Sequence, residues 1–239
     1  MKNTVLFAAV IIAAGLVIFP SCSGGSGSSV STGALEGIWV ATGDDGGTAK
    51  AMLFEFSGNN FTRIAYTETP DPDMIQEEGS KGTYSISGTT LNISITQDWD
   101  DATVNWEDYT ESFSFSFDLQ GDTLMMDIPG LGELYFDKKS FSRPLDLIGT
   151  WYELPAKEKT LTGNGGGTYS YNDPGDNYTS EGTWTASTDL MRIVTTYEND
   201  DGTESTFYIE NLYEYEISGT ELELSWDGTV FSSYSSDAP

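Results

Sequence analysis

Three segments of the chain alternate apolar and polar residues with a period of two: Leu91-Asn-Ile-Ser-Ile95, Phe113-Ser-Phe-Ser-Phe-Asp-Leu119 and Tyr213-Glu-Tyr-Glu-Ile217. Such a period puts one set of side chains on a core and the other in water, as in an antiparallel sheet with one solvated face. Turn sequences separate the runs, among them Gly43-Asp-Asp-Gly-Gly47, Gly58-Asn-Asn60, Ser87-Gly88, Gly121-Asp122 and Asn199-Asp-Asp-Gly202. Glycine, Asn and Asp supply the backbone conformations that tight hairpins need. No segment after the N-terminal region carries a helical period, so the chain reads as strand almost throughout.

The strand pattern occurs twice. Leu35-Glu-Gly37-Ile-Trp39 returns as Leu147-Ile-Gly149-Thr-Trp151, and Gly82-Thr-Tyr84 returns as Gly182-Thr-Trp184. Gly121-Asp-Thr-Leu124 returns as Gly219-Thr-Glu-Leu222, and Gly132-Glu-Leu-Tyr-Phe136 has a looser echo in Gly228-Thr-Val-Phe231. The anchors keep their order while the spacing between copies shrinks, which places a deletion in the early part of the second copy. Pro144 would interrupt a continuous strand, so two domains are expected, residues 35–142 and 143–239. With about seven or eight strands each, they suit antiparallel meanders closing into small barrels.

Composition narrows the classes. The chain has 38 Asp+Glu against 10 Lys+Arg, a net charge of −28. Nucleic acid is excluded as a partner, because its binding needs clustered Lys and Arg. Docking on anionic lipid is disfavoured for the same reason. The 6 Trp, 13 Tyr and 12 Phe are too many for a disordered chain and must supply the core, since one cysteine cannot form an intrachain disulfide.

At the N-terminus, Lys2 precedes an apolar run from Val5 to Phe19, followed by Pro20-Ser21-Cys22. That is the order of a secretory signal, and the run is short of the roughly 20 residues of a spanning helix. Nearly every residue from Ser23 to Gly33 is Ser or Gly, a composition that stays flexible. The expected layout is a signal peptide over 1–21 and a tether over 22–34. Cys22 after its serine resembles a bacterial lipobox. The resemblance implies that Cys22 is lipidated and anchors the protein to a membrane through its acyl chains alone. Ser23 in place of aspartate implies, by the same resemblance, the outer membrane; whether the domains face periplasm or exterior stays open.

Gly37-Ile-Trp39 and Gly149-Thr-Trp151 at the start of each repeat resemble the first strand of lipocalins and the wider calycin barrels. With the later Gly-Thr-Tyr/Trp and Gly-Asp-x-Leu turns, the pattern is similar to the lipocalin-like domains of bacterial lipoproteins, and covers roughly residues 35 to 239. The resemblance implies that Trp39 and Trp151 close one end of each barrel, and that Arg143 packs against Trp39. The second repeat has no basic residue after Arg192, which leaves closure of its barrel open.

Chemistry is mostly excluded. The chain has no histidine, which removes histidine bases and ligands and the nucleophile systems built on them; zinc loses both imidazole and thiol. Gly163-Asn-Gly-Gly-Gly167 lacks the Lys-Ser/Thr of a phosphate loop and reads as a hairpin loop. The protein is expected not to be an enzyme and to need no cofactor. Acid clusters at Asp98, Asp100 and Asp101, at Asn199, Asp200 and Asp201, and at Asp71 and Asp73 offer oxygen ligands of the kind calcium takes, though solvated turns explain them as well. Two binding modes remain. One is a small apolar or amphipathic ligand in or at the mouth of a barrel. The other is an envelope protein or glycan held on the surface, with Trp99, Trp106 and Tyr109 as contacts. A membrane-spanning barrel is disfavoured by the Ser, Asn and Glu on the outward faces.

Overall fold

The computed structural model describes residues 31–42, 49–68, 74–100, 103–128, 132–154, 156, 158–226 and 229–238. The signal segment, Cys22 and most of the tether, together with Asp71, Asp73 and Asp101, lie outside the described residues.

The protein is all-β, with two closed eight-stranded antiparallel barrels in tandem. Barrel 1 contains β1 (Gly37–Thr42), β2 (Ala49–Ser57), β3 (Asn60–Glu68), β4 (Met74–Ser87), β5 (Thr90–Asp100), β6 (Asn105–Gln120), β7 (Thr123–Ile128) and β8 (Gly132–Lys139). Each strand neighbours the next, and β1 pairs with β8 to close the ring, Trp39 opposite Lys138. Barrel 2 repeats the plan with β9 (Gly149–Glu153), β10 (Thr160–Gly163), β11 (Thr168–Asp173), β12 (Tyr178–Ala186), β13 (Leu190–Asp200), β14 (Thr203–Ser218), β15 (Glu221–Trp226) and β16 (Thr229–Ser235). It closes through β9 and β16, with Tyr152 opposite Ser235. The second barrel is thus closed without a basic residue in its last strands.

The period-two runs behave as their pattern requires. Leu91, Ile93 and Ile95 of β5 and Phe115 and Phe117 of β6 are buried in the core of barrel 1, while Ser114 and Ser116 between them are exposed. Tyr213, Tyr215 and Ile217 of β14 pack into the core of barrel 2. Gly58-Asn-Asn60, Ser87-Gly88, Gly121-Asp122 and Asn199-Asp-Asp-Gly202 sit between paired strands, whereas Gly43-Asp-Asp-Gly-Gly47 lies outside the described residues. At Asp201-Gly202 both residues take positive φ, 48° and 83°, the signature of a tight type I′ hairpin.

The repeated motifs have local causes. A short helical plug precedes each barrel: α1 (Thr32–Leu35) before β1 and a 3-10 turn (Leu145–Leu147) before β9. Leu35 and Leu147 are buried, and each plug ends on a carbonyl that accepts the indole N–H of the motif tryptophan. Trp39 Nε1 donates to Leu35 O at 2.7 Å, and Trp151 Nε1 to Leu147 O at 3.4 Å. Gly37 and Gly149, at φ of 122° and 147°, turn the chain from plug into strand in a region that side-chain-bearing residues avoid. The second motif glycine answers to crowding instead. A Cβ on Gly82 would lie 2.0 Å from Ser94 O, and one on Gly182 would lie 1.9 Å from Val194 O. Both occur where the strand register shifts, at Lys81/Gly82 and Glu181/Gly182, so the bulge that bends each barrel needs a residue without a side chain.

Candidate functional site

The basic residue over Trp39 is Lys138, its partner in the β1–β8 register, with Nζ 5.0 Å from the ring centroid. Arg143, expected there, is instead exposed and lies across Gly167, where a Cβ would meet its Nε at 2.1 Å. The reason is connectivity: Ser142 pairs with Ala186 of barrel 2 through two backbone hydrogen bonds, which carries Arg143 to the glycine-rich loop of that barrel.

In barrel 1, long strands β4, β5 and β6 bring charged and aromatic groups to one end. Arg63 of β3 stands opposite Phe54, on the core side, and its guanidinium meets Glu78 at 2.6 Å. The hydroxyl of Ser80 donates to Asp98 Oδ1 at 2.9 Å. Partial burial raises the Asp98 carboxyl above its ordinary pKa, against the Ser80 hydrogen bond and the nearby Arg63, which lower it. A native pKa above the unfolded one means that charging Asp98 opposes folding at neutral pH, and that the cost fades as pH falls through the native value. Asp98→Asn is therefore expected to raise Tm at neutral pH, with a gain that shrinks under acid. Thermal unfolding across that range checks it, and a pH-independent change would remove the explanation.

Trp99 and Trp106 come together edge to face with ring centroids 5.3 Å apart, and Lys81 Nζ lies 3.8 Å over the Trp106 ring. Trp99 is only 9% exposed and so belongs to the packing, whereas Trp106 is half-buried and Tyr109 is 44% exposed, its hydroxyl on Glu111 at 3.2 Å. The three do not form one flat platform. On the outer face of β4–β6 runs a groove of about 370 Å³ lined by Ser85, Asn92, Ser94, Ser112 and Ser114, among others. Ser112 bonds Ser94 at 3.2 Å and Ser114 bonds Asn92 at 2.7 Å across it.

The acid clusters serve turns where they are described. Thr103 donates to Asp100 at 3.0 Å, Asn199 Oδ1 accepts the Gly202 N–H at 3.0 Å, and Asn177 Nδ2 donates to Asp201 at 3.2 Å. Among the described residues, no group of three or more His, Cys, Asp or Glu side chains comes close enough to share a metal ion.

Both barrel interiors are largely filled by side chains. In barrel 1 the space between Phe54, Phe61, Arg63, Ile95 and Phe115 leaves about 20 Å³ for the centre of a water molecule. Barrel 2 has a pocket at its plug end that also leaves about 20 Å³ by that measure, within about 280 Å³ of unfilled space that extends toward solvent. Its walls are Leu147, Trp151, Leu161, Gly163, Tyr169, Trp184, Met191, Ile193 and Leu222, with no charged group among them. The Tyr169 hydroxyl is held by Thr195 at 2.5 Å, and burial raises its pKa. The Trp184 indole N–H, on a residue 3% exposed, has no hydrogen-bond partner among the described residues. The rim carries the Gly163–Gly167 loop, which is the hairpin loop its sequence suggests. Asn164 Oδ1 accepts the N–H groups of Gly166 and Thr168 at 2.9 and 3.3 Å. Leu145, the first residue of the plug, is 81% exposed, and Ile148 just after it is 37% exposed. Sequence reasoning passed over this pocket, although the step from Tyr84 to Trp184 between the repeats pointed to it.

No family model, curated protein or solved structure matches this chain.

Proposed function

We propose that the chain is a non-enzymatic envelope lipoprotein, tethered through Cys22 at the outer membrane, whose lipocalin-like barrel 2 holds a small ligand with an apolar body. The observation that carries the ligand reading is the plug-end pocket of barrel 2, whose walls are mostly apolar and carry no charged group. Ligand sites are concave and mostly apolar, with few polar groups to fix orientation. The absence of histidine from the sequence supports a binding rather than a catalytic role. No helix among the described residues is long and apolar enough to cross a membrane, so attachment rests on the N-terminal segment in this reading.

The test is a native mass spectrum of the protein purified gently from its own host. The expected result is a mass excess that denaturation releases and that a Gly163→Ala variant lacks, because a Cβ there would press on Leu147 O at 3.0 Å and Trp184 Nε1 at 3.2 Å. An excess retained by that variant would move the ligand out of barrel 2.

The groove on barrel 1 favours a second reading, in which a glycan or envelope protein lies on the outer face of β4–β6. Its Ser and Asn side chains match hydroxyl-rich partners. Binding on a glycan array that is lost in Asn92→Ala would support it, and a bare polypeptide mass in the first experiment would make it the leading reading.

A further inference from the structure

The two repeats treat one aromatic position differently. In barrel 1 the residue two places after the bulge glycine is Tyr84, whose hydroxyl donates to Thr32 O of the plug at 3.1 Å. In barrel 2 the same place in the motif is held by Trp184, opposite Ile193 as Tyr84 is opposite Ile93. The plug there is the shorter 3-10 turn. Its Pro144 carbonyl, in the place of Thr32 O, accepts from Leu147 N at 3.2 Å. The indole N–H is left beside Gly163 at the pocket with no acceptor among the described residues. A buried donor without a partner is costly, and native structures rarely tolerate one.

We infer that the barrel 2 pocket binds a small neutral molecule through a single oxygen acceptor, a ketone, ester or ether, which takes the Trp184 N–H while its apolar remainder meets Leu161, Met191 and Ile193. The inference rests on the pocket reading above and names the chemistry that the pocket selects. An indole N–H only donates, so the ligand must accept. No cation lines the pocket to match an anion. Water fits the donor poorly, since buried waters make about three hydrogen bonds and one here would meet the Trp184 N–H and the Leu147 carbonyl beside it. Met191 gives the wall a flexible side chain that adapts to an irregular ligand. Barrel 1 is excluded as a second copy of the site because the Tyr84 hydroxyl is already spent on the plug.

The experiment uses the full ¹⁵N-labelled chain and two probes of matched shape, 2-butanone and 2-methyl-1-butene, which differ in the carbonyl oxygen. The chain has 6 tryptophans, so six indole N–H signals report on it. 2-Butanone is expected to move one signal, the one missing from Trp184→Phe, and to bind roughly threefold to tenfold more tightly than the alkene, the range of one hydrogen bond. In Trp184→Phe that preference should vanish while the other five signals keep their positions, which shows that the variant is folded. Equal binding of the two probes by the parent chain overturns the acceptor inference and leaves an apolar pocket standing. Failure of both probes to move any resonance from the pocket walls overturns the pocket itself.

Discussion

Replacing Arg192 by leucine is expected to cost barrel 2 about 3–5 kcal/mol, the usual loss when one partner of a buried ion pair is removed. Arg192 Nε and Nη2 reach the two oxygens of Glu210 at 2.5 and 2.8 Å, and Glu210 is 0% exposed. The Tyr208 hydroxyl donates to Glu210 Oε2 at 2.7 Å; burial and that carboxylate hold Tyr208 protonated far above the usual tyrosine range. Without the guanidinium, a carboxylate with no exposure to water loses its charged partner, and the fold must leave that charge uncompensated. The double variant Arg192→Leu, Glu210→Leu should recover most of the loss, since apolar residues of similar size often replace a buried pair at little cost. Urea unfolding of the parent, the single and the double variant measures this. A double variant as unstable as the single one would mean that Arg192 stabilises by packing alone.

The second large effect is Gly182→Ala. Adding one carbon at the barrel 2 bulge puts it 1.9 Å from Val194 O and 2.9 Å from the Tyr169 ring. The nearer obstacle is backbone, which cannot rotate away as a side chain would, so the β12–β13 ladder must separate. A loss of about 3 kcal/mol is expected, and Gly82→Ala should do the same to barrel 1. Gly88→Ala is the control. Nothing lies within 4 Å of its added carbon, so its cost is confined to the left-handed backbone, about 1–2 kcal/mol. If thermal unfolding ranks Gly88→Ala with the other two, backbone conformation and not crowding governs these sites.

Much of the fold was legible because it rests on local rules. Alternation in β5, β6 and β14 assigned the inward faces, the glycine turns marked hairpins, and the doubled Leu-x-Gly-x-Trp marked the first strand of each barrel, though not the short helical plug before it. What stayed hidden depends on which groups meet across strands. Arg143 and Lys138 both lie near the end of the first repeat, and only register puts Lys138 on Trp39 while the Ser142–Ala186 bridge draws Arg143 to the other barrel. Trp99 looked like a surface contact because acids surround it in sequence, yet it packs against Trp106 and is nearly buried. The pocket donor was invisible for a related reason. Tyr84 and Trp184 look interchangeable in a motif, and the difference lies in whether a carbonyl from a separate segment reaches the polar atom.

Closure by the first and last strands also shapes how each barrel must be made. Trp39 cannot meet Lys138, nor Tyr152 meet Ser235, until the whole meander between them has been laid down. Such distant pairings hold folding to the slow end of the small-domain range, milliseconds to seconds. Until the ring shuts, β1 and β8, or β9 and β16, present open edges of the kind that recruit a neighbouring chain. Once it shuts, β1 and β8 are partners, as are β9 and β16, and the hazard is greatest during synthesis.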